Sequence, residues 1–75
     1  MKTKRKWAAK AMETVKAHAT AEGMAPDTFI NIPLHYHMAD LVTGLMLLAK
    51  QEGLEWDQIV SDAKEFVNDP AQFKA

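Results

Sequence analysis

The chain has 75 residues, no cysteine and a formal net charge of −1. This length predicts one domain, near the size at which a single hydrophobic core becomes marginal. Without cysteine, disulfides and cysteine-bound zinc are excluded, so association with another chain is the most available further source of stability. The longest apolar run, Leu45–Ala49, is too short to span a bilayer, and no long apolar run follows the basic start. We therefore expect a cytoplasmic protein.

Charge is distributed unevenly along the chain. Residues 1–16 carry six basic side chains against one glutamate, and residues 52–69 carry six acidic side chains against one lysine. This pattern is typical of two solvated helix faces of opposite charge. The alternative is a basic arm that contacts nucleic acid or another acidic partner. Its contact residues would be Lys4, Arg5, Lys6 and Lys10.

The first predicted element is a helix over residues 3–22, which contain neither proline nor glycine. Apolar residues recur there every four positions, at Trp7, Ala11, Val15 and Ala19. Gly23 is suited to end this helix, because glycine readily adopts the left-handed conformation of the C′ position. We expect the connection that follows, residues 23–32, to be irregular or briefly extended.

The second predicted helix covers residues 33–52, with Pro33 in its first turn and Gly53 just after its end. Apolar side chains occupy two sides of it. The broad face consists of Leu34, Met38, Leu41, Val42, Leu45, Leu48 and Ala49. The narrow strip on the other side consists of Tyr36, Met46 and Leu47. A helix that is apolar on two sides is central to its fold or covered by a partner.

We expect the first and third helices to cover the broad face. The narrow strip is then the predicted protein interface, through which a second copy or another protein binds. Gly44 is included in that interface, because a glycine inside a helix costs about 1 kcal/mol relative to alanine and so indicates a close approach.

The third predicted helix covers residues 55–68 and ends before the Asp69-Pro70 pair. Its apolar stripe consists of Trp56, Ile59, Val60, Ala63, Phe66 and Val67. Glu55 and Gln58 have the spacing of a capping box, although glutamate is a poor N-cap residue. In the tail, residues 69–75, Phe73 either folds back as an apolar latch or frays. The predicted fold is all-α: a long N-terminal helix and a helical hairpin that dimerises through the second helix.

The stretch NIPLHYHMADL places His35 and His37 at a spacing that suggests a metal site. Residues two apart on a helix point about 200° away from each other, so these two cannot hold one ion if Pro33 begins the helix. In an extended segment they could. A zinc site would need a third or fourth ligand, and His18 is the only other histidine. We therefore expect surface histidines in a first helical turn, with no metal and no cofactor.

Residues suited to catalysis are few. The chain has no glycine-rich phosphate loop and no cysteine nucleophile. Ser61, its only serine, lies within a predicted helix and has no histidine at a recognisable spacing. All-helical pyrophosphohydrolases need carboxylates clustered on facing helices to hold magnesium, whereas the second helix offers only Asp40 and Glu52. We therefore expect no enzymatic activity.

A short apolar segment, TFINI, leads through Pro33 into a helix, followed by KQEG and a second helix. This order resembles ribbon-helix-helix repressors, which are dimers that pair their strands and insert them into the major groove. The resemblance implies nucleic-acid binding. This sequence departs from the pattern in three ways. Its first helix is more than a turn too long, TFINI carries no basic residue, and the carboxylates of Glu55 and Asp57 would repel a phosphate.

The stretch MADLVTGLMLLAKQEGLEWDQIVSDAKEFV, residues 38–67, carries a second pattern. The residues of that pattern are Ala39, Asp40, Leu41, Leu45, Met46, Ala49, Gly53, Leu54, Glu55, Trp56, Ala63 and Phe66. It resembles the C-terminal half of small uncharacterised helical proteins encoded by bacteriophages and prophages. We therefore predict a phage-type accessory protein that binds a host or viral protein, itself, or both, without catalysis. The alternative is a nucleic-acid-binding protein.

Overall fold

The computed structural model describes residues 2–74. Within them, three long helices and one short helix lie between two terminal strands of two residues each. The elements are β1 (Lys2–Thr3), α1 (Lys4–Ala21), α2 (Pro26–Asn31), α3 (Leu34–Gln51), α4 (Trp56–Asn68) and β2 (Phe73–Lys74). The predicted all-α class is confirmed, and each long helix begins and ends within one residue of its predicted bounds. Pro33 lies at the N-cap of α3 rather than inside the helix.

Helix α1 ends at a Schellman motif around Gly23, whose φ is 90°. The Gly23 N–H donates to the Thr20 carbonyl oxygen at 2.9 Å, and the Met24 N–H donates to that of Ala19 at 3.1 Å. Helix α3 ends with the same pair of hydrogen bonds around Gly53, whose φ is 69°. These bonds satisfy carbonyl groups that the end of a helix leaves without partners. Both predicted glycine stops are confirmed.

The connection between α1 and α3 is a helix, not the irregular or extended segment that the sequence predicted. Helix α2 begins at Pro26, whose fixed φ and missing N–H suit a first helical position, and Asp27 lies in the same turn. The segment that the ribbon-helix-helix resemblance makes a strand, residues 28–32, is therefore helical as far as Asn31. The six residues of α2 are too few for an apolar period to show in the sequence.

The tail folds back onto the start of the chain. Strands β1 and β2 pair in parallel, with Lys2 opposite Phe73 and Thr3 opposite Lys74. Phe73 is buried, and its ring meets the Trp7 ring edge to face, with 5.3 Å between the centroids. Of the two alternatives for the tail, the structure shows the latch.

Helix α4 begins without the predicted capping box. Glu55 occupies the N-cap position, but its side chain makes no capping hydrogen bond. The Gln58 amide instead donates to Asp62 Oδ1 at 2.8 Å, one turn further along the helix. Glutamate is one methylene longer than aspartate and fits the N-cap geometry less well.

The helices form an open ring rather than a closed bundle. Helix α1 contacts α3, α3 contacts α4, and α4 contacts α1 indirectly through β2 and β1. The radius of gyration is 14.3 Å, whereas a compact chain of this length has about 11 Å. The buried side chains are Val15, Ala19, His37, Ala49 and Phe73. Helix α4, despite its clean apolar stripe, has no buried residue.

The prediction that α1 and α4 cover the broad face of α3 is wrong. Five of its seven side chains, those of Leu34, Met38, Val42, Leu45 and Leu48, are 39–52% exposed. Helix α1 approaches α3 on the side that carries Gly44, next to the broad face rather than on it. None of the described helices combines the length and the apolar character that a membrane crossing needs.

Candidate interaction surface

The narrow strip points into solvent along the side of α3. Its three side chains are 46–63% exposed, with Leu47 the most exposed. Tyr36 and Leu47 lie within about 20° of each other around the helix axis, and Thr43 lies about 20° beyond Tyr36. Met46 lies about 100° from Leu47, toward the edge of the broad face. The polar residues nearest the strip, Asp40 and Lys50, are exposed as well.

Gly44 lies apart from the narrow strip. A Cβ added to it would lie 3.9 Å from His18 Cε1 on α1, which is an ordinary van der Waals distance. The close approach that the sequence predicted at Gly44 is therefore between α1 and α3 of the same chain. Of the other predicted interface residues, Tyr36 and Leu47 lie together on the outward side of α3, whereas Met46 is exposed toward the edge of the broad face.

The three histidines lie in three different environments. His18 Nε2 lies 3.1 Å from Glu22 Oε1, an ion pair if the imidazole is protonated, although this nitrogen makes no hydrogen bond within the described residues. His35 is exposed, and its ring lies against Tyr36. His37 is only 3% exposed, so the prediction of a surface histidine is wrong at this position. Among residues 2–74, no three His, Cys, Asp or Glu side chains are grouped to hold a metal ion.

His37 is buried because α2 covers it. Its Nε2 lies 2.8 Å from the Phe29 carbonyl oxygen. Its ring stacks on the Phe29 ring with 4.0 Å between centroids and 10° between planes. No local pattern in the sequence predicts this contact, because the six residues of α2 are too few to show a helical period. His37 therefore links α3 to α2 through these two contacts.

A second exposed apolar surface lies between α3 and α4. It joins Leu45 of the broad face to most of the apolar stripe of α4, around an open hollow of about 420 Å³. The lining of the hollow is Leu45, Trp56, Ile59, Val60, Ala63, Lys64, Val67 and Asn68. Leu45 belongs to the broad face, which the sequence predicted to be covered by the first and third helices. One feature of the sequence indicates this exposed surface. The apolar area of α3 and α4 is large for three helices to cover in so short a chain.

The basic cluster on the first turns of α1 consists of Lys4, Arg5, Lys6 and Lys10, all exposed. Within the part of the chain that the structure describes, none of these four side chains forms an ion pair. Trp7, beside the cluster, is 44% exposed. The ammonium groups of Lys2 and Lys10 lie 4.6 and 5.3 Å from its ring centroid. The indole is therefore engaged by cation–π contacts within its own chain.

Comparisons of this chain with protein-family models, curated proteins and solved structures find no match. The described surfaces are therefore what indicates the function of this chain. That geometry presents apolar side chains on two sides of α3, and such side chains bind other apolar surfaces.

Proposed function

We propose that this chain is a non-catalytic accessory protein of the bacteriophage type that binds a host or viral protein in the bacterial cytoplasm. The narrow strip is the docking surface for that protein. The observation that carries the proposal is the exposure of Tyr36, Met46 and Leu47 on one helix. Apolar side chains on a rigid helix bind with little loss of conformational freedom, because the backbone is already ordered.

The partner that fits the strip has an apolar groove rather than a protruding segment. A helix surface is convex, and proteins that recognise a helix place its apolar side chains into a groove. Tyr36 and Leu47 are separated by eleven residues, so their anchors lie about 16 Å apart along the axis. Asp40 and Lys50 would lie at the rim, as charged residues do in interfaces between proteins that also exist separately.

The test is to capture partners from bacterial lysate and identify them by mass spectrometry. The wild-type chain is compared with Leu47→Glu and with a matched control, Leu54→Glu, whose side chain is similarly exposed in the turn after α3. We expect wild type and Leu54→Glu to retain the same protein. With the purified partner, Leu47→Glu should raise the dissociation constant at least tenfold, which is about 1.4 kcal/mol. Equal affinity of all three chains for that protein would contradict the proposal.

Nucleic-acid binding is a second candidate function, and one observation favours it. The basic cluster is exposed and forms no ion pair among the described residues, so its charges are available to phosphates. Lys2 and Lys10 lie over the Trp7 ring, so a base that stacked on Trp7 would compete with their cation–π contacts.

A further inference from the structure

We propose that a second copy of this chain covers the broad face of α3 and the apolar stripe of α4, so that the protein folds as a two-fold homodimer. This goes beyond the proposed function, because it would hold even if the narrow strip bound no other protein. The sequence predicted a dimer through the narrow strip. The structure offers a larger apolar surface for it.

The chain exposes more surface than a folded monomer of its mass does. The chain has a mass of 8.4 kDa and exposes 6194 Å². A folded monomer of this mass exposes about 4,600 Å², so the excess is about 1,600 Å² per chain. Two chains that each buried this excess would bury about 3,200 Å² in total, which falls within the range of obligate homodimers, about 2,000–5,000 Å². The excess is therefore of the size that an obligate homodimer buries.

The proposed surface carries little charge. Of the side chains that line the hollow, only that of Lys64 is charged, whereas the narrow strip lies between Asp40 and Lys50. Obligate interfaces are more apolar than those of proteins that also exist separately, and they resemble a domain core cut in half. A surface of this size with so little charge suits a partner that is always present when the chain is made. A second copy meets that condition.

The hollow between α3 and α4 is open to solvent. It has a volume of about 420 Å³ and is lined mostly by apolar side chains. Protein interiors are close-packed, so a hollow of this kind is filled when a core is complete. In a two-fold contact the same patch is used on both chains, so each copy fills the hollow of the other. The exposed side chains of the broad face, such as Met38 and Val42, are available to do so.

The test is sedimentation equilibrium of the full chain over a wide range of concentrations. We expect a wild-type dimer. Val42→Glu, on the broad face, should raise the dimer dissociation constant at least about tenfold, because it places a carboxylate in an apolar interface. Leu47→Glu is the matched control on the same helix and should leave the dimer unchanged. The midpoint of thermal unfolding of the wild type should rise with chain concentration, since association stabilises the folded state.

A second variant separates dissociation from misfolding. Leu34→Glu also lies on the broad face, but in the first turn of α3, where the helix dipole favours a negative charge. It should retain helical circular dichroism at high concentration and still weaken the dimer at least about tenfold. A wild-type monomer at every concentration would overturn the proposal. So would a dimer that Leu47→Glu dissociates while Val42→Glu and Leu34→Glu leave it intact.

Discussion

The ring of His37 joins two helices through two different contacts. Nε2 lies 2.8 Å from the Phe29 carbonyl oxygen, and a carbonyl oxygen only accepts, so Nε2 carries the proton and donates. The same ring stacks on the Phe29 side chain. Helix α2 has six residues and no side-chain cap at its N-terminus, so it gains little stability from its own sequence. The contacts of this side chain therefore help to hold α2 in place, together with those between α2 and α1.

His37→Ala should lower the free energy of unfolding by about 2–4 kcal/mol, because it removes a buried ring and leaves a carbonyl without its donor. His35→Ala is the matched control, two residues away on an exposed side of the same helix, and should change it by less than about 0.5 kcal/mol. Urea denaturation followed by circular dichroism, at one fixed chain concentration, measures both. Equal effects of the two substitutions would show that the His37 contacts do not hold α2.

At the scale of the elements, the glycines that follow α1 and α3 differ in kind from the glycine inside α3. Gly53 has a φ of 69°, and a Cβ added there would meet no atom within 4 Å. The cost of a side chain at Gly53 is therefore one of backbone conformation alone. Gly44 has helical geometry, and its added Cβ would reach His18 Cε1 at 3.9 Å without a clash. The same substitution should thus have opposite effects at the two positions.

We expect Gly53→Ala to lower the free energy of unfolding by about 1–2 kcal/mol, the cost of a left-handed conformation with a Cβ. Gly44→Ala should raise it by about 0.5–1 kcal/mol, because alanine is the better helix former. Thermal unfolding at matched chain concentration compares them. Destabilisation by Gly44→Ala would mean that α1 lies closer to α3 than the distance to His18 indicates.

The elements also show what the sequence could and could not predict. The three long helices were predictable because their signals are local: the period of the apolar stripe, and Gly23 and Gly53 at the stops. Helix α2 and the pairing of Lys2 with Phe73 were not, because the first is a six-residue helix and the second joins opposite ends of the chain. The side chains of the narrow strip could be placed on α3 from the helical period. The exposure of the broad face could not, because it depends on where α1 and α4 cross α3.

At the scale of the whole molecule, opposite charges remain separated along the chain. The basic cluster lies at the start of α1, and the acidic residues follow α3 and continue along α4. Lys4 and Val67 line one hollow with Trp7 and Phe73, so the start of α1 lies near the end of α4. Even so, none of the four basic side chains of the cluster pairs with a carboxylate among the described residues. The cluster is therefore accessible to a polyanion, because the described acidic groups of the chain do not pair with it.

If the basic cluster binds nucleic acid, the association constant for duplex DNA should fall as the salt concentration rises. A plot of the logarithm of that constant against the logarithm of the salt concentration should have a slope of about −3.6, because each of four phosphate contacts contributes about −0.9 by releasing counterions. Replacing Lys4, Arg5, Lys6 and Lys10 by glutamine should abolish both the binding and its salt dependence. Replacing Lys16, Lys50 and Lys64 in the same way is the control and should change little. Fluorescence anisotropy with labelled duplex and single-stranded DNA measures each case. The absence of wild-type binding at low salt would reject this function.

The parallel pairing of β1 with β2 determines how the molecule would respond to a pulling force. Tension applied between Lys2 and Lys74 would draw two parallel strands in opposite directions along their length. Their hydrogen bonds would then be loaded together, in shear, rather than peeled apart one at a time. The contact of Trp7 with Phe73 lies beside these bonds and would share the load. Once these strands separated, α4 could move away from α1 but would keep its contacts with α3, and α1 and α3 would stay joined by their own contacts.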